Sequence, residues 1–147
     1  MIRIIIIYVL ILSIFLCGCS RTYNWEFRKD SSEVIQVSII YIEYHLHNAE
    51  DIINLPPIKI VEVININELY DDVLNLKMKT RFHMEPPFPS GYCILICYDN
   101  NEYCILSTKG SGYIYYNEES ESLSYEPIDL MFNKEDFLNI VNKYLKD

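Results

Sequence analysis

The chain is short of basic residues, glycine and histidine, and each shortage argues against a class of function. Its 147 residues include 12 Lys and Arg against 21 Asp and Glu, which gives a formal net charge of −9. Nucleic-acid binding depends on clustered Lys and Arg, so we expect no nucleic-acid partner. The four glycines form neither a phosphate-binding loop nor a dinucleotide fingerprint, and the three histidines form no HExxH motif. We therefore expect no cofactor, and no residue is assigned a catalytic role.

Charged residues are also missing from residues 4–19, an apolar stretch that follows Arg3 and the N-terminus. A short positive head, an apolar run and a small residue before a cleavage point are typical of a secretion signal. A membrane-spanning helix needs at least about 17 residues, slightly more than this run, and Gly18 and Ser20 mark its end. A buried core helix fits less well, because the run has no polar face. The sequence predicts a secreted or membrane-targeted precursor.

The segment Leu16-Cys17-Gly18-Cys19 resembles the lipobox of bacterial lipoproteins. In that family an apolar residue and two small residues precede a cysteine, which becomes the acylated N-terminus after cleavage. The resemblance implies that residues 1–18 are a lipoprotein-type signal peptide and that Cys19 carries lipid such as palmitate. It also implies a lipid-anchored protein on the extracytoplasmic face of the cell membrane. Cys17 departs from the family, which more often has Ala, Ser or Thr there.

Cleavage would leave a short membrane tether over residues 19–24 and a single domain over residues 25–147. Six extended residues reach about 20 Å, so the domain would stay close to the bilayer. Loss of Arg3 changes the formal net charge from −9 to −10, since no acidic residue lies in the signal. Because that charge repels anionic lipid, we expect the acyl chains and not a basic patch to supply membrane affinity.

The mature part predicts an α+β fold, a mainly antiparallel sheet of about seven short strands with two helices packed on one face. One helix is predicted over residues 67–77, and the other begins after a capping Asn133 and runs to the C-terminus. The clearest local pattern is a hairpin with a two-residue tip, Asn100 and Asn101. The strands are predicted over residues 23–28, 34–44, 58–64, 92–98, 103–108, 113–116 and 128–132, with a short one over 80–83.

The order of these elements also resembles small exported proteins of low-GC Gram-positive bacteria that have no assigned activity. The similarity rests on Trp25, the polar hairpin tip and the C-terminal helix ending in Lys143-Tyr144-Leu145. It implies no catalytic residue.

Three cysteines lie in the predicted hairpin, Cys93, Cys97 and Cys104. A two-residue tip would place Cys97 directly opposite Cys104, and export permits a disulfide. That pair would be hydrogen-bonded, however, and such pairs hold their side chains farther apart than a disulfide requires. Two interpretations stay open, a Cys97–Cys104 disulfide or small apolar thiols in the core.

Glu43, His45 and His47 would share one face of an extended strand, and His83 or Asp51 could complete a metal site there. Imidazole and carboxylate are ligands that suit zinc and similar metals. His45 and His47 are therefore candidate metal ligands. The alternative is the solvated end of a strand.

Tyrosine is abundant, with 13 residues in the chain. Tyr98 and Tyr103 are predicted to be neighbours across the hairpin, and Tyr113 and Tyr115 lie on the next strand. Tyrosine combines a flat apolar ring with a polar tip, which suits recognition of a protein, peptide or glycan partner. These four form a candidate binding surface, unless they simply cover the sheet.

The sequence thus favours a lipid-anchored extracytoplasmic protein that acts as a non-catalytic binding or accessory module. One alternative is a metal-dependent hydrolase that uses His45 and His47. Another is an acidic inhibitory or protective protein at the membrane surface.

Overall fold

Two antiparallel sheets dominate the fold, and the prediction of a mainly antiparallel α+β protein is confirmed. The computed structural model describes residues 22–43, 49–54, 58–80 and 88–146. Within these ranges it contains nine strands, three α-helices and one short 3₁₀ helix, Ser31–Glu33.

The large sheet has six strands in the order β3-β2-β5-β6-β7-β8. Its long central strands are rich in Ile, Val, Tyr and Cys, residues that pack well on a pleated surface. The bounds are β2 Val34–Ile42, β3 Ile58–Glu62, β5 Gly91–Tyr98, β6 Tyr103–Ser107, β7 Ser111–Asn117 and β8 Ser122–Ile128.

The small sheet has three strands in the order β1-β4-β9. The bounds are β1 Thr22–Asn24, β4 Lys77–Thr80 and β9 Leu130–Phe132. Strand β1 lies within residues 19–24, which the sequence assigns to a tether. The domain therefore begins at least three residues earlier than the predicted boundary.

The helices are α1 Ala49–Asn54, α2 Ile66–Leu74 and α3 Lys134–Tyr144. The predicted cap of the last helix is confirmed, since the Asn133 side chain accepts hydrogen bonds from the backbone N–H groups of Glu135 (2.9 Å) and Asp136 (3.3 Å). Such a cap satisfies N–H groups that have no partner within the helix.

The core lies on both faces of the large sheet. One cluster joins Val37 and Ile39 of β2 to α2, α3 and the small sheet. The other joins Ile40 and Ile42 to Ile52 of α1. The two predicted helices, α2 and α3, pack on the same face as expected, whereas the short α1 was not predicted and contributes to the opposite cluster.

The hairpin register differs from the prediction by one residue. Cys97 pairs with Tyr103, and Cys104 pairs with Ile96. Directly paired residues share a face and neighbours alternate, so Cys97 and Cys104 lie on opposite faces of the sheet. Of the two interpretations that the sequence left open, this register excludes the Cys97–Cys104 disulfide.

The turn explains the shift, because it has three residues instead of two. The Tyr98 N–H donates to the Glu102 carbonyl (2.9 Å), and the Asn101 N–H donates to the Tyr98 carbonyl (3.3 Å). Asn101 has a φ of 60°, the left-handed conformation that ends a three-residue hairpin turn. Asparagine tolerates this conformation, so it takes the place that glycine often has.

Candidate functional site

An open cleft of about 400 Å³ lies where the end of β1, the start of β7 and the junction of β8 with β9 meet. Its wall combines aromatic rings, aliphatic side chains and both signs of charge. Volumes of about 300–1,000 Å³ with this kind of lining are typical of small-molecule sites. The lining residues are Tyr23, Asn24, Trp25, Glu26, Arg28, Tyr113, Ile128 and Leu130.

Local sequence positions each wall of this cleft. After β1 ends at Asn24, the chain turns Trp25 into the core, where its side chain is 3% exposed. Ile128 and Leu130 lie on either side of Asp129, the one residue that separates β8 from β9. The passage of the chain from one sheet to the other therefore builds the apolar side of the cleft.

The aromatic side of the cleft is anchored in the core. The rings of Trp25 and Tyr113 stack with their centroids 6.3 Å apart and an interplanar angle of 19°. Trp25 also contacts Phe132 and Phe27, with centroid distances of 5.6 and 5.7 Å. Contacts of this kind add to the stabilisation from buried area, so they help to hold this wall in place.

Arg28 joins the cleft to the edge of the large sheet. Its guanidinium donates two hydrogen bonds to the Glu126 carboxylate, Nη1 to Oε2 at 2.9 Å and Nη2 to Oε1 at 2.5 Å. The guanidinium carbon also lies 4.1 Å from the centre of the Tyr113 ring, a cation–π contact. The backbone N–H of Arg28 donates to the Tyr113 hydroxyl (3.2 Å). Three contacts thus fix the position of one exposed cation.

Arg28 and Glu126 each stabilise the charged form of the other. The hydrogen bonds from Arg28 lower the pKa of Glu126, and those to Glu126 raise the pKa of Arg28. Burial raises the pKa of Tyr113 above its ordinary value, so its hydroxyl stays protonated at neutral pH. The cleft therefore presents Arg28, with its charge paired to Glu126, beside a protonated tyrosine.

The indole nitrogen of Trp25 is enclosed and has no hydrogen-bond partner among the described residues. Leaving a buried donor unmet costs about 1–3 kcal/mol, and such groups are rare in folded proteins. Trp25 lines the cleft, but this nitrogen is itself buried.

The four tyrosines of the predicted binding surface do not form one surface. Tyr98 is 1% exposed, and its hydroxyl accepts a hydrogen bond from Tyr70 (3.0 Å). Tyr113 is also buried, whereas Tyr103 and Tyr115 are half-buried. Tyr98 and Tyr103 point to opposite faces of the hairpin, so they are not the predicted cross-strand neighbours. Of the four, Tyr113 alone lines the cleft.

Two of the hairpin cysteines behave as core residues. Cys93 and Cys104 are fully buried, and burial raises the pKa of both thiols above the ordinary value. Reactive cysteines have a lowered pKa and access to solvent. Neither Cys93 nor Cys104 is therefore suited to nucleophilic chemistry.

The metal hypothesis falls largely on residues outside the described ranges, since His45, His47 and His83 lie there. The part of the chain that the structure describes has no cluster of three or more His, Cys, Asp or Glu side chains able to hold a metal ion.

Cys19 and the signal segment also lie outside the described residues. Within the described ranges, no helix has the length and apolar character needed to cross a bilayer.

No protein-family model, curated protein or solved structure matches this chain.

Sequence reasoning missed most of the cleft. Arg28 and Glu126 are 98 positions apart, and nothing in the local sequence of either residue indicates the pairing. The one usable sign was Trp25, the single tryptophan of the chain, which lies two positions before Phe27 in the strand predicted over residues 23–28. The other lining residues come together only through the passage from β8 to β9.

Proposed function

We propose that this protein is a lipid-anchored extracytoplasmic binding module without catalytic activity, and that the cleft is its ligand site. The observation that carries the proposal is the composition of the cleft wall. Aromatic and aliphatic side chains line the cleft together with Arg28, whose charge is paired with Glu126, and with the carboxylate of Glu26. This lining suits recognition of a partner with apolar and hydrogen-bonding groups.

The position of the cleft supports this assignment. Tyr23 and Asn24 line it from β1, and β1 begins three residues after Cys19. With the predicted anchor in place, the cleft lies within about 20 Å of the bilayer. The partner is then a peptide or glycan that is present at the outer membrane surface.

Metabolic labelling with palmitate tests the anchor. We expect the full-length protein to incorporate label and to fractionate with membranes, and Cys19→Ala to lose both the label and signal cleavage. Cys17→Ala is the matched control, since it removes the neighbouring thiol and places a small residue where the lipobox family usually has one. Labelled Cys19→Ala, or unlabelled Cys17→Ala, would contradict the assignment of the acylated residue.

Cross-linking in intact envelopes tests the cleft. We expect Tyr23→Ser to reduce recovery of the cross-linked partner at least tenfold, because Tyr23 is 37% exposed and lines the cleft. Tyr116→Ser is the control, since Tyr116 is 55% exposed but lies outside the cleft. Equal recovery by both variants, or no partner with the unaltered protein, would rule out the cleft as the binding site.

A further inference from the structure

The small sheet has one face in the core and one face open to solvent. Met78 and Phe132 are paired across β4 and β9, and both are buried. Because side chains alternate along a strand, Lys77 and Lys79 point the other way, and both are exposed. The outward positions, called here the small-sheet face, are Thr22, Asn24, Lys77, Lys79 and Met131.

In the described part of the chain, the charges on this face have no acidic partner. Lys77 Nζ donates to the amide oxygen of Asn24 (2.7 Å), which is neutral. Among the described residues, neither Lys77 nor Lys79 forms an ion pair, whereas the exposed Lys143 bonds to both Glu68 (2.6 Å) and Asp72 (2.7 Å). The small-sheet face is therefore positive on a strongly acidic protein.

The sequence around the face extends this positive character. Residues 19–24 and 77–81 together contain four basic residues, Arg21, Lys77, Lys79 and Arg81, and no acidic one. The rest of the chain after residue 18 has 21 acidic residues against seven basic ones. Acidic residues flank the face on two sides, since the exposed Glu26 lies two residues after β1 and the exposed Asp129 directly precedes β9. The positive charge is therefore confined to the face itself.

The face also lies close to the predicted point of attachment. Cys19 and Thr22 are three residues apart, a reach of about 10 Å. This matches the distance of about 8–10 Å over which charges act at physiological salt. An acylated Cys19 would therefore hold the small-sheet face within the electric field of the bilayer surface.

We propose that the small-sheet face docks on anionic lipid head groups and so fixes the orientation of the domain on the membrane. The inference rests on the lipid anchoring proposed above. The two lysines of β4 lie against the negative surface, and the acidic remainder of the domain points away, where repulsion is weakest. The net charge of the protein does not indicate this arrangement, because it sums the positive small-sheet face and the negative remainder of the domain.

A competition between two vesicle populations tests the docking. The acylated protein, purified from membranes, equilibrates between neutral phosphatidylcholine vesicles and denser vesicles that contain 30% phosphatidylglycerol, in 0.1 M salt. Both populations accept the acyl chains equally, so the ratio of bound protein reports on the domain alone. The variant is K77Q/K79Q, and the matched control is K109Q/K146Q, which makes the same charge change at exposed lysines outside the small sheet.

We expect K77Q/K79Q to shift the ratio toward neutral vesicles about 25-fold relative to the control, since each lysine near an anionic surface contributes about fivefold. The shift should disappear in 1 M salt, where the screening length is about 3 Å. Equal ratios for variant and control would overturn the docking and leave the anchor intact. Failure of the unaltered protein to join either population would show that the anchor is absent, and both proposals would fall.

Discussion

Gly112→Ala is expected to destabilise the domain by about 3 kcal/mol, because the added methyl group has no space. A Cβ at this position would overlap the ring of Tyr125 and would lie 2.5 Å from the backbone oxygen of Glu126. The tyrosine ring could rotate away, but the carbonyl belongs to β8, which pairs with β7 directly at Gly112. The strand itself must therefore move.

Chemical denaturation with urea measures this cost, and Gly91→Ala is the matched control. Gly91 has a φ of 77°, but an added Cβ would contact nothing within 4 Å. Its replacement introduces backbone strain alone, which costs about 1 kcal/mol. If Gly112→Ala lowered the free energy of unfolding no more than Gly91→Ala, close packing of β8 on Gly112 would not be what stabilises this edge of the large sheet.

The same substitution connects stability to the cleft. Glu126 lies on β8 and holds Arg28, so a displaced β8 separates the ion pair and opens one side of the site. We therefore expect Gly112→Ala to reduce partner recovery in the cross-linking experiment even at temperatures where the domain remains folded.

The sequence predicted the elements whose signals are local. The C-terminal helix was found because Asn133 caps it and its apolar residues recur at helical spacing, and both of these lie within one segment. The strands of the hairpin were found for the same reason, from a short, largely apolar run on either side of a polar turn.

The predicted hairpin register was wrong by a single residue. Two-residue and three-residue turns join the same two strands, but they pair different residues across the hairpin. Which of the two turns forms depends on which tip residues adopt positive φ. Asn100 and Asn101 both tolerate that conformation, and only Asn101 adopts it. No glycine marks the position, so the sequence indicated the two-residue register and left a Cys97–Cys104 disulfide open as one interpretation.

The strand β8 was missed because its sequence argues against it. Ser122–Ile128 contains two serines, a glutamate and Pro127, which disfavour a central strand. At the edge of a sheet these residues are acceptable, since a proline N can face solvent there. Pairing with β7 is a property of the whole fold, as are the pairing of β1 with β4 and the Arg28–Glu126 contact. A single sequence holds no local sign of any of them.

Phe137→Ala is expected to cost about 3–5 kcal/mol, the usual loss for a fully buried aromatic side chain. The Phe137 ring is completely buried and stacks on Phe132 with centroids 5.4 Å apart. Phe132 in turn contacts Trp25, whose ring stacks on Tyr113 in the wall of the cleft. Loss of the Phe137 ring should therefore weaken the packing of Phe132 and Trp25 behind the cleft wall.

Tryptophan fluorescence measures both the loss of stability and the change at the cleft in Phe137→Ala, because Trp25 is the only tryptophan in the chain. We expect a lower midpoint of thermal unfolding and, before unfolding, a red-shifted emission as water reaches the indole. Asn139→Ala is the control, since Asn139 is exposed on the same helix and its loss should change stability by less than about 0.5 kcal/mol. A destabilised Phe137→Ala with unshifted emission would mean that the aromatic contacts do not couple α3 to the cleft. The contacts of Trp25 with Phe27, Tyr113 and Phe132 would then hold its ring without support from α3, and the cleft would keep its shape when the helix loosens.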